Sequence, residues 1–213
     1  MLDFFTYVFL IAGFLMLAGK VITNNITLLA IQSLALSIIA FYLGLSGGAV
    51  NWHMVLIGGL TFAVKVIVLP WILYRLVDKV AARRVVPLSI GLGSSSLIGV
   101  LLVGLTYSYV VPVLLKEVQV GGQLLPVALS TVLLGCFFMI SRRSALSQLI
   151  GVIVMENGLF LCGIAVTGGM PLIIEFGIFF DLLVGALVMG IMTYQIRDTF
   201  DTLDTKFLNK LKH

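Results

Sequence analysis

The chain has 213 residues, of which 61% are hydrophobic and 10% charged, with a mean hydropathy of +1.20. Soluble globular domains carry roughly 25% charged residues. A water-facing fold of this length has no interior large enough for so much apolar surface, so the composition excludes a soluble enzyme or binding module and puts the chain in a bilayer. The formal net charge of +4 is no nucleic-acid signature, because the basic residues fall between apolar runs, where they report topology.

A helix needs about 20 apolar residues to cross the hydrocarbon layer. Seven runs meet that requirement, at about 3–22, 27–46, 53–75, 86–114, 123–141, 146–167 and 171–195. The first lacks a basic leader and a small-residue cleavage site, so it is expected to be a retained helix and not a signal peptide. Short connections carry turn residues: "TNN", "SGGAVN", "KVAARR", "VGGQ", "SRRS" and "TGGMP". The fourth run exceeds one span and is expected either to tilt or to end in a surface piece. The expected fold is all-α, a polytopic membrane protein with seven transmembrane helices in a single integral membrane domain over 1–213.

Basic residues orient these helices. Lys20 follows the first, Arg75, Lys79, Arg83 and Arg84 the third, Arg142 and Arg143 the fifth, and Arg197, Lys206, Lys210 and Lys212 the seventh. Eleven of the 13 basic residues thus share one side, with Lys116 opposite and Lys65 inside a helix. The positive-inside rule then predicts the N-terminus outside and the C-terminus in the cytoplasm.

Several patterns look chemical and have plainer readings. Cys136 and Cys162 sit inside apolar runs with no metal-ligand spacing, as small buried hydrophobes do. "GLGSSSLIG" (91–99) has neither the lysine nor the preceding strand of a phosphate loop, and suits close helix packing. Trp52 and His53 are placed to anchor a helix end at the interface. Pro70 lacks an N–H, so it is expected to free a carbonyl near Val66 and kink the third helix. The tail "RDTFDTLDTKFLNKLKH" is expected to be a short amphipathic cytoplasmic segment.

The informative residues are ionisable ones at membrane depth. At 1.5 Å per residue, Lys65 lies roughly 15–18 Å from either end of its helix. Glu156 lies about 13–15 Å, and Asp181 about 14 Å, inside the nearer boundary. Glu175 sits about 9 Å further out than Asp181 and is rotated by about 120° from it. Each such residue costs about 2.5–3.5 kcal/mol to insert. Three readings stay open: Lys65 pairs with Glu156 or Asp181 as bundle glue, these groups face a hydrated path and exchange protons, or they bind a substrate. Desolvation favours the neutral form of buried acids and bases, which is the condition for loading and unloading a proton. No nucleophile–base set, metal-ligand cluster or cofactor loop points to chemistry in this chain.

"SRRSALSQLIGVIVMENGLFL" (141–161) resembles the second helix of the K subunit of respiratory complex I and of the matching C subunit of multisubunit cation/proton antiporters. Arg142, Arg143, Leu149, Ile150, Gly151 and Asn157 take the matching places, but the family's glutamate falls at Ile153, one turn before Glu156. A shift of three residues keeps roughly the same helix face. "IIEFGIFFDLLVGALVMGI" (173–191) resembles the third helix, with Asp181 at the place of a glutamate, so the likeness covers 123–213. Together with "AIQSLALS" in the second helix and "KVIVLP" in the third, the seven-helix plan resembles component E of hydrogenase-4, a formate hydrogenlyase-type membrane subunit. Helices 1–3 (1–84) echo the last three faintly, with helix 4 (86–114) as the joint.

What the resemblance implies is a multi-pass subunit of the prokaryotic cytoplasmic membrane, within a group 4 nickel–iron hydrogenase complex. The chain itself would hold no cofactor, the Ni–Fe and iron–sulfur centres lying in partner subunits. Its partners would be antiporter-like subunits, the membrane anchor and the hydrogenase subunits, with no nucleic acid. Glu156 and Asp181 would relay protons or Na⁺, Lys65 would modulate them and Glu175 would gate the outer side, with Asn157 and Pro70 in support. A cation/proton antiporter without redox partner and a structural spacer are the alternatives.

Overall fold

With no water to bond to in hydrocarbon, an apolar run satisfies its backbone most simply as a helix. The computed structural model describes residues 2–46, 50–79, 91–114, 124–142, 144–167 and 185, and the regular elements among them are helices. In chain order these are α1 (Leu2–Ala18), α2 (Ile22–Leu45), α3 (52–79), α4 (92–114), α5 (Leu124–Ser141) and α6 (Ala145–Thr167). Helices α2 to α6 are long and apolar enough to cross a membrane, and α1 is a shorter apolar helix. The predicted seventh run, the tail, and with them any repeat relating helices 1–3 to the last three, lie outside the described residues.

The first connection differs from expectation. Helix α1 ends at Ala18, and Val21 is extended (φ −101°, ψ 124°), so the turn is 19–21, while Thr23, Asn24 and Asn25 open α2. The turn residue that matters is Gly19, whose N–H bonds back to Met16 O. The chain reverses at 19–21 with no side-chain cap, and "TNN" continues as the first turn of α2. At the other end of α2, Asn51 caps α3 by accepting from Met54 N at 3.4 Å.

The expected disturbance at Pro70 takes the form of a π-helical run, Phe62–Val68, inside α3. Proline cannot donate, and its ring crowds the carbonyl four residues back. Widening the preceding turns moves that carbonyl away while α3 continues through Pro70 to Lys79. The Leu69 N–H bonds to Val64 O, five residues back. A second π run, Thr106–Val110, interrupts α4.

Helices α5 and α6 make the closest pair, because glycines let their backbones touch. A Cβ at Gly135 would lie 2.6 Å from Met155 N, one at Gly151 3.1 Å from Gly135 O, and one at Gly158 2.8 Å from Val132 N. Small residues at such crossings are the usual device for joining helices in lipid. Two apolar clusters fill the bundle. One gathers Leu17, Ile26, Leu73, Phe138 and Ile150, and the other Phe9, Leu36, Ile57, Val127 and Leu161.

Replacing Gly135 with Val forces α5 from α6. It is expected to lower stability by about 1–3 kcal/mol, read as a lower unfolding midpoint of the purified protein and loss of its monodisperse elution. An unchanged midpoint would show that the close approach is dispensable.

Candidate functional site

Lys65 and Glu156 meet in the interior. The Lys65 Nζ donates to Glu156 Oε1 at 2.6 Å, with the two side chains 2% and 3% exposed. Lys65 lies at mid-height of the apolar stretch Trp52–Val77 and Glu156 at mid-height of Leu146–Val166. Lys65 sits in the π-helical run, so the same widened turns that accommodate Pro70 set the direction of its side chain. Its ammonium also lies 5.4 Å from the Phe160 ring centre, one turn beyond Glu156.

A chain of carboxamides supports the pair. Lys65 Nζ also donates to Asn157 Oδ1 at 3.2 Å, and Asn157 Nδ2 donates to Ser33 Oγ at 3.2 Å and Gln32 Oε1 at 3.4 Å. Gln32 Nε2 in turn donates to Phe9 O at 3.4 Å. A lysine ammonium can only donate, so Asn157 must present its oxygen to it and its amide nitrogen to α2. That requirement propagates, setting the orientation of Gln32 as well. Gly13 leaves room for this side chain, since a Cβ there would lie 3.0 Å from Gln32 Nε2.

The network links α1, α2, α3 and α6 in one layer. Along α2, Gln32 and Ser33 lie between Leu29, in one apolar cluster, and Leu36, in the other. Along α6, Glu156 and Asn157 lie between Val154 and Leu161 in the same way. The polar layer therefore separates two apolar ones. Ile153, where the resembled family carries its glutamate, is fully buried in the first apolar cluster. The acid one turn later is the one that reaches Lys65.

Of the residues expected at the site, the structure joins Lys65, Glu156 and Asn157, and places Pro70 buried five residues beyond Lys65. Asp181 and Glu175 lie outside the described residues. Gln32 and Ser33 went unassigned in the sequence. Their signal was a carboxamide followed by a hydroxyl in an otherwise apolar helix, which is visible in "AIQSLALS".

The Arg142 side chain, read from sequence as a marker of topology, is only 1% exposed. Its Nη2 donates to Met16 O at 3.2 Å and Leu17 O at 2.8 Å, so it caps the C-terminal carbonyls of α1, and its guanidinium lies 4.8 Å from the Phe138 ring centre. Burial lowers its pKa, yet an arginine stays charged at physiological pH.

Removing one partner of a buried ion pair strands the other, at a cost of about 3–5 kcal/mol, whereas replacing both is far milder. Lys65→Met and Glu156→Leu are each expected to lower the unfolding midpoint strongly, and the double variant to recover most of the loss. Additive losses would show that the two side chains are not coupled.

No family model and no solved structure matches the chain. A relative in Mycobacterium tuberculosis (strain ATCC 25618 / H37Rv), the uncharacterized protein Rv0085, is 32% identical over 209 residues, an alignment covering 94% of each chain. Likeness of that extent leaves no large segment of either protein unmatched, and the chain belongs to the same family as Rv0085.

Proposed function

We propose that this chain is a multi-pass subunit of a complex I-related membrane complex of the group 4 nickel–iron hydrogenase or formate hydrogenlyase type. In that complex it contributes a titratable station to a proton or Na⁺ path. The observation that carries the reading is the Lys65–Glu156 pair, closed between two apolar layers at mid-height of helices able to span a bilayer. Ionisable groups at such depth are expensive, and they mark ion pathways by default.

In this reading Glu156 is the proton carrier and Lys65 its modulator. Making and breaking the ion pair is the switch that lets Glu156 pass on its proton. Asn157 and Gln32 conduct nothing, because carboxamides do not readily exchange protons, and they hold Lys65 in register instead. Asp181 continues the relay and Glu175 opens it to the outside. The basic end, with Lys20, Arg75 and Arg142, faces the cytoplasm. Partner subunits supply the antiporter-like channels, the membrane anchor and the redox centres. The family relationship to Rv0085 carries no statement of function, so the complex is argued from the resemblance of 123–213 to the complex I K subunit and of the whole chain to component E of hydrogenase-4.

A static clamp is the rival reading, favoured by the hydrogen bonds that Asn157, Ser33 and Gln32 supply around the pair. Proton transport in vesicles bearing the assembled complex separates the two. Glu156→Gln and Asp181→Asn are each expected to abolish transport while the complex still assembles, and Glu156→Asp to retain part of it. Undiminished transport by an intact complex carrying Glu156→Gln would sink the relay and leave the clamp. Co-purification with a large subunit bearing nickel-ligating cysteines separates a hydrogenase from an antiporter assembly.

A further inference from the structure

The buried charges among the described residues are Lys65, Glu156 and Arg142. The first two neutralise each other, but among the described residues no carboxylate bonds to the third. Arg142 uses Nη2 on the carbonyls of Met16 and Leu17, while its Nε and Nη1, carrying three of its five N–H groups, are buried without a partner. Two carbonyls and the negative end of the α1 dipole offset only part of a full charge. A buried cation left otherwise uncompensated is among the least favourable arrangements in a protein interior.

Asn25 and Ser147, buried at the same end, are also unpartnered. Asn25, fully buried on the first turn of α2, leaves both carboxamide atoms without a hydrogen bond. Its Oδ1 lies so close to Gly19 that a Cβ there would collide with it, so the carboxamide borders the 16–19 turn that Arg142 holds. Ser147, fully buried on the first turn of α6 and five residues on from Arg142, leaves its hydroxyl unpartnered. Helices α2 and α6 both begin at this end, and their N-termini add positive potential and free N–H groups. The exposed cations Lys20 and Arg75 stand at the same end, which Tyr74 ties together by donating to Thr23 O at 3.2 Å.

We propose that Arg142, Asn25 and Ser147 form a binding site for a phosphate group, presented either by the headgroup of an anionic phospholipid or by free phosphate. The donors suit that ligand. Arg142 Nε and Nη1 offer charged donors to phosphate oxygens, and the carboxamide N–H₂ and the hydroxyl serve others. Basic pockets between transmembrane helices are where anionic headgroups settle. The orphan nitrogens are screened from solvent in this form, so a phosphate reaches them by parting the end of α1 from the end of α5, which Arg142 joins. Exchange is therefore slow. The site lies one apolar cluster away from Lys65–Glu156 and is independent of the transport reading.

The test is thermal unfolding of the full-length protein in detergent with phosphatidylcholine alone, with added phosphatidylglycerol, and with added inorganic phosphate at matched ionic strength. Saturating ligand is expected to raise the wild-type midpoint by several degrees. Arg142→Gln removes that response, and Arg75→Gln, which alters an exposed cation, leaves it. A response to phosphatidylglycerol alone assigns a lipid headgroup, and a response to both assigns a free oxyanion; either supports the site. Because Arg142→Gln also uncaps α1, Asn25→Ala and Ser147→Ala provide a second arm that leaves the cap in place, and each must weaken the response several-fold. No midpoint shift with either ligand, or equal shifts in wild type, Asn25→Ala and Ser147→Ala, overturns the proposal.

Discussion

The Lys65–Glu156 pair is the constraint around which the rest of the bundle is arranged. Each charge alone would be costly at that depth, so the two helices carrying them must place both at one height and one azimuth. An α-helix offers a side chain only in steps of about 100°. The π-helical run Phe62–Val68 changes that step where Lys65 needs it. Short π segments inside α-helices often occur at functional positions. Here one segment accommodates a proline and aims a lysine, so the local distortion and the site are one feature.

The surroundings follow from the same demand. A lysine bonded to one carboxylate oxygen has further N–H groups to satisfy, and Asn157 takes one of them. Asn157 then has to discharge its own donors, which draws in Ser33 and Gln32 from α2 and, through Gln32, the backbone of α1. Cooperative networks of this kind are unforgiving in low dielectric, because any member left unmet carries its full desolvation penalty. The apolar clusters on either side keep the dielectric low and the pair strong. The close α5–α6 approach at Gly135, Gly151 and Gly158 supplies the rigidity that holds Glu156 and Asn157 in place.

The basic end obeys a different rule. Exposed cations such as Lys20 and Arg75 stay solvated and cost little, and Arg75 rests on the partly exposed Trp71 with 5.1 Å between guanidinium and ring centre. Arg142 is the exception, folded inward to cap α1. Two neighbouring arginines in "SRRS" look alike in the chain, and the capping role of the first depends on where α1 happens to end.

Sequence alone determined the class of the protein, because composition decides whether a chain can be covered by water, and apolar run length decides how many helices it offers. Six of the seven expected runs are helices in the described residues, and their ends differ from expectation mainly at "TNN", which lies inside α2 while the chain turns at 19–21. It also marked Lys65, Glu156 and Asn157, since polar groups at mid-span are visible without any fold. Tertiary structure decided which of them touch: Glu156 and not the position of Ile153 reaches Lys65, and Gln32 and Ser33 complete the network. It also decided that Arg142 is buried while Lys20 and Arg75 at that end are exposed. The reason is geometric. Depth along a helix is a one-dimensional count that the chain carries with it, whereas contact depends on rotation and distance between helices, which only their packing sets.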